Sequence, residues 1–528
     1  MPNILSALIW LPVIGALAIA LLPKDQSKKG AIVVASAILI LDAVLLRLFN
    51  TDSVAFQLSE NLPWLENIGL NYSLGVDGLS LPLVILNGFI TWLIICFCER
   101  QIKERIQLFQ VLMLLIHAGV SGAILSTNTL LFVLFYEIEL IPLYLIIAVW
   151  GGAQRSYAAT KFLIFTAVSG VLVLAGFLAL GWLTADPTPV FDYTTLQTIS
   201  LPIEVQITLL LLILLGFSIK APFVPFHTWL PDTYVESTTP TVMMLGGVVA
   251  KLGTYGLFRF CIGLFPEAWT LLSPYIALWA GLGVLYGAMV ALAQHDIKRM
   301  VAYSSIGHMS YILLAAAAAT PLSLIGGIGQ MVSHGLVLAL LFYLVGVVEE
   351  KVGTRDLDVL NGLLNPLRGL PTTSALLILG GMASAGIPGM VGFIAEFLVF
   401  QGSFAKFPIP TIFSIIGTGL TAVYFVILLN RTCFGKLDNA TAYYPKVSGL
   451  EHLPAVILTA IIVFLGIQPT WLTRWSEKTT VIISDRLPIE VIANENLGND
   501  VAALSTAPSL IKPLTYEKIS LAFTQDVP

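Results

Sequence analysis

Residues 206–232 read QITLLLLILLGFSIKAPFVPFHTWLPD, and this stretch decides the class of fold. The run up to Ile219 carries no charge, then come Lys220 and, close behind it, Pro222 and Pro225. Each proline removes a backbone donor and crowds the preceding turn, so an apolar helix breaks here beside a charge. Lipid tolerates a broken helix only where protein or a wet cavity satisfies the freed backbone groups. The stretch therefore belongs inside a bundle of membrane helices.

Composition extends that reading to the whole chain. Of its 528 residues 57% are hydrophobic and 11% charged, and mean hydropathy is +0.90. Soluble domains carry about 25% charged residues, which excludes three or four soluble domains of ordinary size. A span uses about 20 apolar residues, and uncharged runs recur near 4–22, 31–49, 79–98, 108–126, 129–149, 161–183, 206–230, 241–263, 274–294, 299–319, 323–348, 373–400, 411–433 and 452–472. The expectation is an all-α polytopic membrane protein of about fourteen transmembrane helices. The start, MPNILSALIW, has no basic leader or small-residue cleavage site and reads as an uncleaved anchor. A net charge of −5 excludes a nucleic-acid binder relying on a basic surface. Cys96, Cys98, Cys261 and Cys433 lie in apolar runs, with neither metal-ligand spacing nor a disulfide framework.

Lys and Arg set the orientation. Lys24, Lys28, Lys29, Arg100, Lys103, Arg105, Arg155, Lys298, Arg299, Lys351, Arg355, Arg368, Lys436 and Lys446 follow odd-numbered spans. Even-numbered connections hold almost none, and the acidic connection 231–240, with Asp232 and Glu236, is an exception. Basic loops stay inside, which places both termini on the lumenal or periplasmic face.

The twelfth span is also interrupted, by Gly386-Ile387-Pro388-Gly389 ahead of Glu396. Breaks in the seventh and twelfth spans fit a transporter built of repeats. The expected organisation is three helices in 1–107, a five-helix repeat in 108–263, a second in 274–433, helix 14 at 452–472, and a surface or partner-binding tail over 474–528. An odd number of helices per repeat inverts the second copy. Gly281, Gly283 and Gly287 read as a small-residue helix contact.

Within the spans stand Asp42, Glu137, Glu139, Lys220, Lys251, Glu396, His117, His308 and His334. An ionised Lys or Asp at a helix centre costs about 2.5–3.5 kcal/mol, so these groups must be paired, hydrated or neutral inside the bundle. His117 reads equally well as a packing residue, Asp42 as a local hydrogen-bonding group, and Lys161 as a snorkelling lysine at a span end. Glu137 and Glu139 lie about 200° apart on a helix, so one faces away from any shared path. Desolvation favours a neutral amine and a nearby carboxylate favours the ammonium. Pulling Glu137 from Lys220 would then eject a proton, with His308 and His334 suited to relay it. His227 either gates proton entry or caps its helix. No haem, iron–sulfur or flavin signature is present, so electron transfer is expected in other chains.

Several strings together resemble the complex I family, namely its chain 4, the M-type antiporter-like subunit of NAD(P)H–quinone oxidoreductases. They are Gly75-Val-Asp-Gly-Leu-Ser80, Glu137-Ile-Glu-Leu-Ile-Pro142, the run from Lys220 to Asp232, Lys298-Arg-Met-Val-Ala-Tyr-Ser-Ser305 and Ser333-His-Gly335. The double-acid run is most similar to the cyanobacterial and plastid version. The resemblance implies Glu137 as the partner acid of Lys220, Lys251 as the central lysine, His308 and His334 as the bridging polar axis, and Glu396 as the terminal acid. Sister subunits have Lys at that last place. It implies no cofactor in this chain; quinone or plastoquinone, NAD(P)H or ferredoxin, and Fe–S clusters belong to partner subunits of a membrane arm. The thylakoid membrane follows, with a bacterial plasma membrane as the alternative. The chain departs from the family at Ile138-Glu139 and in its tail. The competing function is a subunit of a multi-subunit cation/proton antiporter; a purely structural spacer leaves the intramembrane charges unexplained.

Overall fold

The computed structural model describes residues 3–97, 102–185, 188–436 and 444–488. Cys98, Arg100 and the tail beyond residue 488 lie outside the described residues.

The chain enters as α1 (Ile4–Leu21) and α2 (Lys24–Leu48), makes a hairpin of β1 (Gln57–Leu65) and β2 (Leu70–Val76), and returns as α3 (Leu81–Phe97) and α4 (Ile106–Leu125). The fifth span is two helices, α5 (Thr129–Ile138) and α6 (Leu140–Trp150), followed by α7 (Arg155–Leu183) and the short α8 (Tyr193–Leu196). The broken seventh span is α9 (Ile203–Lys220) and α10 (Trp229–Glu236). The eighth runs α11 (Thr239–Met244), a π-helical segment Leu245–Val249, α12 (Lys251–Gly256) and a second π-helical segment Leu257–Ile262. Then come α13 (Pro266–Leu292), α14 (Ile297–Ala318), α15 (Pro321–Val352), the broken pair α16 (Pro371–Ser384) and α17 (Val391–Phe404), α18 (Pro408–Thr432), α19 (Gly449–Ile467), α20 (Thr470–Thr473) and α21 (Glu477–Asp485).

Among the described residues twelve stretches of helix are long and apolar enough to cross a membrane, and the shorter apolar helices α3 and α17 fall on the third and twelfth expected spans. Both expected breaks are present, each in the fourth crossing of its five. The hairpin adds strand to the helical expectation. It holds the chain's start: Leu5 N–H donates to the Glu60 carboxylate at 2.9 Å, and Trp10 Nε1 donates to the Tyr72 hydroxyl at 3.0 Å. The turn after β2 also receives α21, with Gly78 N–H donating to Thr479 Oγ1 at 3.1 Å and Ser476 Oγ to the Gly78 carbonyl at 2.7 Å. The start of α1 and the described end of the chain therefore meet one face, the hairpin face. The first residues of the expected tail are packed helix, with Thr479, Thr480 and Ile483 buried.

Two boundaries move for a visible reason. α13 starts at Pro266, eight residues before the expected 274, and carries Pro274 inside. Pro274 leaves the Thr270 carbonyl without its usual donor, and Ser273 Oγ supplies one at 2.8 Å. α7 starts at Arg155 rather than 161. Lys161 therefore stands within the helix rather than at its end, and it pairs with Asp232 at 2.7 Å.

Burial sorts the helices. The eighth span is wholly buried, α14 and α15 are 94% buried, and α2 is 28% buried over its most apolar window. Gly287 seats α13 directly on the Gly307 backbone of α14, while Gly281 seats it on Pro410 at the start of α18. The ionisable residues of interest sit on or against this buried core, and large apolar side chains of α1, α2, α7 and α18 face outward, as lipid-facing helices require. On the face opposite the hairpin, Asp232 also takes Arg299 at 3.1 Å, and the Glu236 carboxylate accepts from Gln154 N–H at 2.8 Å. The acidic connection thus neutralises and caps its basic neighbours, which explains the exception in the loop charges.

Candidate functional site

Pro142 cannot donate to the Ile138 carbonyl four residues back, and the fifth span resets there, with Glu139 as the junction between α5 and α6. The reset aims Glu139 inward. Glu139 is fully buried and its Oε1 forms an ion pair with Lys220 Nζ. The expected partner, Glu137, points elsewhere: it is half-buried and packs on Gly170 of α7. It still feels the Lys220 charge, but the hydrogen bond belongs to Glu139. The geometry thus corrects the expected pairing and puts Glu139 in the place expected of Glu137. Pro142, three residues past Glu139, marks the break in the sequence but not which acid it turns inward.

Lys220 is the last residue of α9, where the negative end of the helix dipole favours a cation. Its ammonium lies 4.6 Å from the centre of the Tyr136 ring, a cation–π contact. The Tyr136 hydroxyl and Ser169 Oγ are 2.8 Å apart, and Ser169 Oγ donates to the Gly216 carbonyl at 2.7 Å. This ties α5, α7 and α9 together around the charge. The break after Lys220 is satisfied locally, with Phe223 N–H reaching the Ser218 carbonyl at 3.0 Å and Trp229 Nε1 the Ile219 carbonyl at 2.8 Å.

Lys251 begins α12 between the two π-helical segments. There Ala250 N–H reaches back five residues to the Leu245 carbonyl at 3.0 Å, and the neighbouring Gly246 carbonyl accepts from the Lys251 ammonium. π-Helical turns are rare and collect at functional sites. Lys251 Nζ also lies 2.9 Å from His334 Nδ1 on α15, and the His334 and His308 rings are 5.4 Å apart between centroids. His308, on α14, bonds Ser384 Oγ through Nε2 at 3.0 Å. Its Nδ1 faces Gln330 Nε2 at 3.2 Å and Glu396 Oε1 at 3.4 Å. One ring nitrogen thus has a donor for its bare state and a carboxylate for its protonated state. Glu396 Oε2 accepts from Thr418 Oγ1 at 3.1 Å, beside Gly386, whose φ of +68° lets the break approach the carboxylate as glycine alone does without strain.

The structure therefore brings the expected residues into two groups: Glu139 with Lys220, and Lys251, His334, His308 and Glu396 in a row. Among the described residues no hydrogen bond joins the groups, but α12 lies directly on the broken end of α9, where a side-chain carbon at Gly253 would sit 2.7 Å from Ala221 N. His227 joins neither group; its Nε2 bonds the Tyr286 hydroxyl at 3.1 Å, and among the described residues its Nδ1 has no hydrogen-bond partner with which to cap α10. His117 is a packing residue between Thr91 Oγ1 at 3.2 Å and Ser121 Oγ at 3.4 Å. Asp42 departs from expectation: it is buried against Gly88, and neither carboxylate oxygen has a hydrogen-bond partner among the described residues.

A buried pair that the sequence reading passed over stands at the hairpin face. Arg259 Nη2 donates to Asp77 Oδ1 at 2.6 Å, inside a cage of Phe56, Tyr193 and Tyr255. Burial pushes the Asp77 carboxyl up, but the Arg259 guanidinium and bonds from Ser80 outweigh it and hold the carboxyl below its ordinary range. Its signal was the Gly75–Ser80 string. Cys96, Cys261 and Cys433 are free thiols, and no group of three metal-ligating side chains occurs among the described residues.

Comparison with known proteins now bears on this geometry. The family described as NADH:quinone oxidoreductase/Mrp antiporter, TM, matches residues 126–421, which hold all six residues of the two groups. The chain belongs to that family. Within it, an NAD(P)H-quinone oxidoreductase chain 4 of Trichormus variabilis is 36% identical over 522 residues, covering 96% of each chain. The chloroplastic chain 4 of Chaetosphaeridium globosum is 37% identical over 443 residues, covering 82% of this chain and 86% of its own. Among solved structures, a chain of respiratory complex I from Thermus thermophilus superposes with a TM-score of 0.83 at 26% identity, over 92% of this chain and all of its own. The expected resemblance to chain 4 and the antiporter-like fold both hold for this member of the family.

Proposed function

We propose that this chain is a proton-translocating membrane-arm subunit of an NAD(P)H- or ferredoxin–(plasto)quinone oxidoreductase, moving protons through its midplane while partner subunits transfer electrons. The observation that carries this reading is the row Lys251–His334–His308–Glu396, held between a π-distorted helix and a glycine-broken one, with Glu139–Lys220 at its head. Ionisable groups at this depth mark ion pathways. A Lys–Glu pair about 6 Å apart gains roughly 2.8 kcal/mol at an effective dielectric of 20. Moving one charge against about 100 mV costs about 2.3 kcal/mol, so opening and closing such a pair is of the size a pump needs.

The work divides among the residues. Separation of Glu139 from Lys220 destabilises the ammonium and releases its proton; Lys251 receives a proton as a free amine. His334 and His308 pass it by exchanging which nitrogen is protonated, and Glu396 accepts it at the second break. Redox centres, NAD(P)H or ferredoxin, and the quinone are assigned to partner subunits. The same reading sets the basic face toward cytoplasm or stroma, and both termini toward the lumen of a thylakoid, by the positive-inside rule. An acid at Glu396, with the similarity to chain 4 proteins, favours this over a stand-alone cation/proton antiporter.

The test is proton translocation per electron in membrane vesicles holding the intact complex. Lys220→Met and Lys251→Met should each lose translocation while the complex assembles; wild-type translocation in both would refute the reading.

A further inference from the structure

Where α4, α6 and α7 meet at the edge of the basic face, a cavity of about 350 Å³ is lined by Glu104, Arg105, Ala148, Val149, Trp150 and Arg155. None of these residues belongs to either group of the proton path. α4 and α7 both begin here, Arg105 at the cap of the first and Arg155 opening the second. The positive ends of two helix dipoles therefore add to the two guanidinium charges instead of balancing them. Arg155 folds over the end of α6, with Nη1 donating to the Val149 carbonyl at 3.3 Å and the Gly151 carbonyl at 3.5 Å. The lining's carboxylate, Glu104, is exposed, and among the described residues neither arginine pairs with it or with any other acid. The Glu104 backbone carbonyl instead accepts from Trp150 Nε1 at 2.7 Å, which fixes the indole in the cavity wall.

An apolar strip leads out of this cavity toward the midplane. Ile138, Ile141 and Leu145 are exposed at helical spacing, and the strip ends in Ala148 and Val149 of the lining itself. From Val149 back to Ile138 is about 16 Å of helix, about half of the 30 Å hydrocarbon core and so the depth of one leaflet. Trp150 and the exposed Tyr157 are the residue types that sit at headgroup level. The guanidinium fork matches phosphate oxygens, and basic pockets between spans on the cytoplasmic side suit anionic headgroups. We infer that this cavity holds the headgroup of an anionic phospholipid, its phosphate bridging Arg105 and Arg155 beside the Trp150 indole, with an acyl chain along the Ile138–Leu145 strip. The lipid thereby ties the starts of α4 and α7 together across the end of α6. Free phosphate would satisfy the arginines alone; the apolar strip continuing from the cavity commits the site to a lipid.

The experiment uses the whole complex in phosphatidylcholine vesicles. A trace of phosphatidylglycerol with a photoreactive acyl chain is added, or the same trace of phosphatidylcholine with that chain, whose headgroup has no net charge. Mass spectrometry then measures cross-links to residues 138–157. Phosphatidylglycerol should label this stretch about twentyfold more than phosphatidylcholine, the effect of two interfacial charges. Arg105→Gln should lower that labelling about fivefold, the share of one charge, and Arg105→Gln with Arg155→Gln should bring it to the level of the choline lipid. Arg105→Lys with Arg155→Lys keeps both charges and should retain most of it, and added inorganic phosphate should leave it unchanged. Equal labelling by the two lipids, or wild-type labelling in the double glutamine variant, overturns the site and leaves bulk lipid only. Loss of labelling on adding inorganic phosphate overturns the choice of a lipid. Cross-links from neither lipid would mean that a neighbouring subunit covers this face, which overturns the site as well.

Discussion

Glu137 and Glu139 differ by one intervening residue and meet different fates. Glu139 is fully buried against Lys220, whereas Glu137 is half-exposed on the α7 side. Breaking a buried pair by removing one partner costs about 3–5 kcal/mol, because the other charge is left unpaired. Glu139→Gln should therefore abolish proton translocation and lower thermal stability, while Glu137→Gln keeps most of both; vesicle pumping and unfolding in detergent check the pair. Equal loss in both variants would mean that the two acids act as one unit. The need for ionisable groups inside the bundle was legible from Lys220, Lys251, His308 and His334 at mid-span and from Glu396 within the twelfth span. The choice between the acids was not, because regular spacing carries no direction across a helix break. Gln330, Ser384 and Thr418 were illegible for another reason: uncharged polar residues are common in membrane helices, and tertiary position alone gives them His308 or Glu396 as partners.

At the scale of elements, backbone irregularity is what puts charge on the axis. Proline marks the breaks in the fifth and seventh spans and glycine with proline that in the twelfth, so each is visible in sequence. The π-helical turns around Lys251 are not, since Gly246-Gly247 permits a π turn without specifying one. Pro142→Ala should restore the missing donor to Ile138, straighten the fifth span and turn Glu139 away from Lys220. Pumping should then fall several-fold in an assembled complex, and an unchanged proton-to-electron ratio would show that the break does not aim the acid. Gly253 tests the contact between the two groups. A methyl there meets the Ala221 and Phe217 backbones at 2.7–2.9 Å, so Gly253→Ala should cost about 1–3 kcal/mol, as overpacking does, read as a lower unfolding temperature.

Across the whole molecule, the number of crossings was legible because apolar length is dictated by bilayer thickness. The hairpin was not, since 57–76 alternates weakly and its strands are fixed by what they cap. That face carries a prediction in pH. Asp77 is held below its ordinary range by Arg259, so the pair's contribution to stability is complete above about pH 4, the unfolded value, and is lost as pH falls through the lowered folded value. Unfolding temperature should drop in acid more steeply for the wild type than for Asp77→Asn, which is already destabilised at neutral pH. Parallel curves would remove Asp77 from the account.

The whole scheme needs Glu396 to gain and lose a proton during turnover. Infrared difference spectra of the complex, recorded with and without electron transfer, read carboxyl groups directly. The account predicts a protonated-carboxyl band that appears on turnover, shifts in heavy water, and is lost in Glu396→Gln. Spectra in which turnover leaves that region flat, or in which Glu396→Gln matches the wild type, would contradict it.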